Sequence, residues 1–101
     1  MINKINSVDL ETLINDNSKI IIKIGRDIDY VGQLTEVVLD RINSEGVALC
    51  VVIDKNDFIM FLKNNNIKII KNCDYSVFLL ENKKLYKLPY FCPYKKLLSY
   101  L

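Results

Sequence analysis

Residues 19–53 read KIIIKIGRDIDYVGQLTEVVLDRINSEGVALCVVI, and this stretch decides the fold. Ile20, Ile21, Ile22 and Ile24 form a β-branched run. A run that is apolar on both faces suits a strand covered on both sides. Gly25 to Asp27 closes it. Ile28, Val31, Leu34, Val37, Val38 and Ile42 then recur at steps of three and four. That spacing predicts a long helix over 28–44 with one apolar stripe. Asp27 or Asp29 suits its N-terminal end, where a carboxylate meets the helix dipole favourably. Gly46 suits its C-terminal stop. Val47 to Ile53 is apolar without a break and predicts a second buried strand. Strand, helix and strand in one run form a βαβ unit, which makes the two strands parallel.

Outward from this unit the patterns are shorter. Asn6 or Ser7 can cap a helix over 8–15 that carries Val8, Leu10, Leu13 and Ile14. Phe58 to Asn64 reads as a short helix stopped by the run Asn64, Asn65, Asn66. Residues 67–70 read as a short strand or a loop. Tyr75 to Leu80 is a strand, residues 81–84 turn, and Leu85 to Leu88 returns, which makes an antiparallel hairpin. Pro89 ends the hairpin. Pro93 suits the first turn of a last helix with Leu97, Leu98 and Leu101 on its apolar face. The expected architecture is α/β, a three-layer α/β/α sandwich around a mixed central sheet, in a single domain over 1–101. No repeat or linker interrupts it.

Composition closes many functional routes. The chain has 101 residues and no His or Trp, so imidazole nucleophile activation and His metal sites are excluded. Its three cysteines, Cys50, Cys73 and Cys92, are too widely spaced for a C-x-x-C or zinc pattern. Its three glycines, Gly25, Gly32 and Gly46, match no phosphate-cradling loop. No metal or cofactor is therefore expected. No apolar run reaches the ~18 residues of a membrane span, and the first twenty residues carry Asp9, Glu11 and Asp16 rather than a secretory pattern. The expectation is a cytoplasmic protein that does not engage a membrane. The net charge of +2 divides unevenly. Residues 1–57 hold ten acids and six bases, and residues 58–101 hold two acids and eight lysines.

The element order resembles the thioredoxin family over nearly the whole chain, from about Val8 to Leu101. Three stretches carry the resemblance: the strand and long helix from Ile20 to Ile42, the strand ending Val52-Ile53-Asp54, and the hairpin around Ser76 to Lys83 with the helix after Pro93. The family's Cys-Gly-Pro-Cys centre, preceded by Trp, falls on Ile28, Asp29, Tyr30, Val31 and Gly32. Its buried aspartate falls on Lys23, its cis-proline on or near Tyr75, and its helix-kinking proline on Val37. Both redox cysteines are absent from their positions. Dithiol exchange needs an attacking thiolate and a resolving thiol, and Asp29 and Gly32 supply neither. The family binds polypeptides along a groove beside that centre. Carried over by position, the groove comprises Ile28, Asp29, Tyr30 and Val31, then Asp74 and Tyr75, then Pro89, Tyr90 and Phe91. The resemblance thus implies a redox-inactive, non-enzymatic module that binds a protein partner or a second copy of itself.

The other candidate residues have readings of their own. Cys50 lies in an apolar strand and reads as an inert core thiol. Cys73 adjoins Asp74, whose charge would raise its pKa. Cys92 precedes a helix start with Lys95 and Lys96 near, which favours a thiolate. A single-cysteine redox protein using Cys92 or Cys73 is the alternative function, and their pairing is left open. Lys23 lies between Ile22 and Ile24. Its amine is expected to reach Asp27, Asp29 or solvent at the strand end. The stretch 83–96 interleaves lysines with aromatics, as nucleic-acid surfaces do. Strand alternation puts Lys84, Tyr86 and Leu88 on one face and Leu85 and Lys87 on the other, so nucleic-acid binding is the least favoured reading.

Overall fold

The isoleucine strand is the centre of the molecule. A computed structural model describes residues 2–16, 19–25, 29–68, 77–89 and 91–101. The elements in chain order are β1 (Asn3–Ile5), α1 (Ser7–Asp16), β2 (Lys19–Ile24), α2 (Tyr30–Ser44), β3 (Leu49–Ile53), α3 (Lys55–Asn64), β4 (Val77–Glu81), β5 (Lys84–Leu88) and α4 (Tyr94–Tyr100). The five strands lie in the order β1-β3-β2-β4-β5. β2 pairs in parallel with β3, from Ile20 opposite Leu49 to Ile24 opposite Ile53. On its other side it pairs antiparallel with β4, from Lys19 opposite Glu81 to Lys23 opposite Val77. β1 and β5 are the two edges. The sheet is therefore mixed, as expected.

Strand alternation sorts the core into two halves. Ile20, Ile22 and Ile24 pack with Val51, Ile53, Phe78 and Leu80 against Leu10 of α1 and Phe58, Phe61 and Leu62 of α3. Ile21, Cys50, Val77, Leu79 and Leu88 pack on the other face against Leu39 and Ile42 of α2 and Leu97 of α4. Helices cover both faces of the sheet, which gives the three layers.

The helix ends follow local chemistry. The Gly46 N–H donates to Asn43 O (3.1 Å) and the Val47 N–H to Ile42 O (3.3 Å), with Gly46 at φ 69°. This is a Schellman stop, and a glycine takes its left-handed position without strain. Asn66, at φ 56°, ends α3 the same way, with the Ile67 N–H donating to Leu62 O at 2.9 Å. Asn82 and Lys83 both have positive φ (51° and 63°), which is the two-residue type I′ geometry that suits a twisted hairpin.

Several details differ from the sequence expectation, among them the start of β3 at Leu49 rather than Val47 and a turn of 82–83 rather than 81–84. β1 has no counterpart in it. α3 begins at Lys55 rather than Phe58, because the Asp54 side chain accepts from the Asn56 N–H (3.1 Å) and starts the helix at the cap. α2 begins at Tyr30 rather than near Ile28. Its buried face is Gly32, Thr35, Leu39 and Ile42, whereas Val31 and Val37 are exposed. Of the uncertain stretch 67–70, Ile67 and Lys68 are in no strand, and 69–70 lie outside the described residues. So do Tyr75 and Ser76 of the expected hairpin.

Candidate functional site

The start of α2 is built around Asp29. Its backbone is extended (φ −138°, ψ 173°), and its carboxylate accepts from the Gly32 N–H at 2.7 Å. Its carbonyl accepts from the Gln33 N–H at 3.1 Å. A side-chain acceptor at this position satisfies a backbone donor that the helix cannot, and the negative charge suits the dipole. Asp29 is the N-cap that the sequence offered. Gly32 and Thr35 turn toward the sheet, so Tyr30 turns away from it and is 73% exposed. Val31 is exposed beside it, and its carbonyl accepts from the Thr35 hydroxyl at 2.8 Å.

The segment after β5 lies against the middle of α2. Pro89 and Cys92 share a narrow gap with Thr35, Val38 and Leu39. Pro89 is exposed, and Phe91 is 41% exposed rather than folded in as a plug. Of the expected groove, Asp29, Tyr30 and Val31 thus stand at the start of α2, and Pro89 lies against its middle. Ile28, Asp74, Tyr75 and Tyr90 of that groove lie outside the described residues, as does Cys73.

Lys23 sits beneath this surface with no exposure. Odd positions of β2 face α2, and the Lys23 amine meets Glu36 Oε2 at 2.8 Å. Glu36, on the second turn of α2, is thus a partner that the sequence reading did not name. Asp27 lies outside the described residues. Glu36 is 32% exposed, so the pair is closed below and open above.

The described cysteines are both covered. Burial pushes the Cys50 thiol up to about 12, with the Asp40 charge adding to it. That agrees with an inert core thiol. Burial also raises Cys92, against the opposing pull of Lys96. This is opposite to the direction expected from its place before a helix. The side chain points into the core with Leu97 and Leu88, so withdrawal from water outweighs the neighbouring charge. Both thiols should therefore alkylate slowly in the native protein and quickly in denaturant, followed by peptide mapping. Fast native labelling of Cys92 would contradict its placement.

A second cluster, missed in the sequence, holds α4 in place. The Tyr94 hydroxyl donates to the Glu45 carboxylate, Arg41 Nε donates to Glu45 Oε1 at 3.1 Å, and the Arg41 guanidinium lies 3.7 Å above the Tyr94 ring. The Tyr94 and then the Arg41 hydrogen bonds hold the Glu45 carboxyl below its ordinary range, and the same contact raises Tyr94. At the other end of α4, Lys19 Nζ donates to Leu101 O at 2.6 Å. The spacing of Arg41 and Glu45 on one helix face was the available signal. Tyr94 could not be added without the fold. Among the described residues, no group of three or more His, Cys, Asp or Glu could hold a metal ion, and no helix is long and apolar enough to cross a membrane.

Comparison with known proteins places this geometry. No family model matches the sequence, and no curated protein matches it. Solved structures do match. Chloroplastic thioredoxin z aligns over 98% of this chain and 89% of its own, with a TM-score of 0.68 at 16% identity. Trxlp from Edwardsiella tarda aligns over 100% and 98%, with a TM-score of 0.70 at 8% identity. Oxidised thioredoxin from Plasmodium falciparum aligns over 99% and 94%, with a TM-score of 0.64 at 9% identity. Identities this low speak to architecture alone, and what they establish, with the strand order and helix placement above, is that the chain has a thioredoxin-like fold.

Proposed function

We propose that this chain is a non-catalytic protein-binding module. It engages a polypeptide partner, or a second copy of itself, through the surface at the start of α2 and the segment after β5. The observation that carries the reading is Asp29. The position that would hold an attacking cysteine is occupied by a carboxylate engaged as a helix cap, directly beside an exposed tyrosine. Two buried thiols with raised pKa support the same reading. The exposed aromatics Tyr30 and Phe91 suit an interface, where tyrosine is a frequent anchor.

The test is capture from the source extract by immobilised wild-type protein and by Tyr30→Ala, eluted with salt, then reductant, then denaturant. The expected partner leaves in the denaturant step and is lost from Tyr30→Ala, whose affinity should fall by more than ~1 kcal/mol. Phe91→Ala should act in the same direction. In parallel, the protein should not accelerate reduction of insulin disulfides by dithiothreitol. Acceleration, or a partner released by reductant, would overturn the non-catalytic reading. Wild-type affinity in both variants would overturn the surface.

A further inference from the structure

Among the described residues β5 is a free edge of the sheet, and it offers something the surface at α2 does not. Glu81 and Lys84 flank the two-residue turn and face each other in the register. They are therefore a hydrogen-bonded pair, and antiparallel alternation makes Tyr86 and Leu88 bond inward to β4 as well. Leu85 and Lys87 must then turn both backbone N–H and C=O away from the sheet. The other edge, β1, is only three residues long. Short length is one way that proteins protect an edge. β5 is longer, and a groove of about 450 Å³ runs beside it. Leu79 and Leu88 form the groove's buried floor. Tyr86 and Tyr100 form its walls and are 48% and 42% exposed. Lys84 and Lys87 line it too, and Lys83 stands at the turn. Among the described residues lining it, Glu81 is the lone carboxylate.

We propose that this edge binds an extended acidic polypeptide segment as an added strand. Outward backbone groups at Leu85 and Lys87 supply the hydrogen bonds of strand addition, and the groove takes alternate side chains. Lys84 and Lys87 lie on opposite faces of β5, so carboxylates on either side of the added strand meet a lysine. The same lysines disfavour a second copy. Two β5 edges paired antiparallel about Tyr86 would set the two Lys87 side chains diagonally across the seam and crowd Lys83, Lys84 and Lys87 of both copies along it, and like charges across an interface reject a partner.

The experiment is a titration of the isotopically labelled full chain with a short peptide of two leucines flanked by glutamates. The counterpart peptide carries lysines in place of the glutamates. With the acidic peptide, amide shifts should centre on residues 84–88 and Tyr100, and exchange at the Leu85 and Lys87 N–H should slow. The lysine peptide should leave the spectrum unchanged. Lys84→Glu/Lys87→Glu changes only exposed side chains and should weaken binding about tenfold or more. Lys87→Pro removes an outward donor that the sheet does not use, so the fold tolerates it while binding is lost. An absent response to the acidic peptide, equal response to both peptides, or unchanged affinity in the charge-reversed variant would overturn the proposal. Dimerisation through this edge would do the same. Shifts at Tyr30, Val31 and Phe91 instead would overturn it while leaving the reading of the α2 surface intact.

Discussion

Phe58→Ala is expected to lower the unfolding free energy by about 4 kcal/mol, within the ~3–5 kcal/mol typical of truncating a buried aromatic. Phe58 has no exposure. Its ring centroid lies 5.4 Å from that of Phe78 and 6.4 Å from that of Phe61, so it joins α3 to β4 and closes the core beneath α1. Stacked rings add about 0.5–1.5 kcal/mol beyond the area they bury. A small domain has roughly 5–15 kcal/mol in all, so the variant should stay folded with little margin. Urea unfolding monitored by circular dichroism measures it. The cavity lies on the sheet face opposite α2. Binding at Tyr30 should therefore fall only with the folded fraction. A loss under about 1 kcal/mol would contradict this packing.

Glu36→Ala and Lys23→Met should differ in sign or nearly so. Removing one partner from a buried ion pair leaves the remaining charge less compensated, and costs up to about 3–5 kcal/mol when both groups are enclosed. Glu36 is 32% exposed, so water can reach its site and about 2 kcal/mol is expected for Glu36→Ala. Lys23→Met replaces the fully buried cation with an unbranched apolar side chain of similar length. It removes the desolvation cost along with the attraction, and the outcome should be neutral or stabilising by about 1 kcal/mol or more. Urea midpoints of the two variants and of the double variant make the comparison. Equal losses in the two single variants would show that the pair is a net source of stability. The pair also bears on the candidate site, because Glu36 anchors α2 about one and a half helical turns after Tyr30 and Val31.

The legible parts of this chain were those whose pattern is local. β2 is bounded in the sequence as in the structure, since a β-branched run between polar ends needs no partner to be recognised. The stop at Gly46 was equally plain, and the cap was narrowed to Asp27 or Asp29. The apolar stripe of α2 was read at the wrong phase. Apolar residues wrap more than one face of that helix, and the face that packs includes Gly32 and Thr35, which a count of apolar positions passes over. Small residues there let α2 approach the sheet, and Val31 and Val37 are left outside. β1 escaped because three residues show no period, and it exists only through its pairing of Asn3 to Ile5 with Val51 to Ile53. The Lys23–Glu36 pair escaped for a similar reason. Its members are thirteen positions apart, and they meet only once the helix is laid across the strand. The groove positions Asp29, Tyr30, Val31, Pro89 and Phe91 were proposed from resemblance alone, and their exposure was the property that pattern could not give.

The turn at Asn82 and Lys83 looks like an ordinary surface loop in which insertions and deletions should be harmless. Its length in fact sets which way β5 faces. One residue more, without a compensating bulge, would shift the register by one and exchange the two sides of the strand. Leu88 would leave the core and Lys87 would enter it. The turn should accept changes of residue type, glycine above all, while rejecting any change of length.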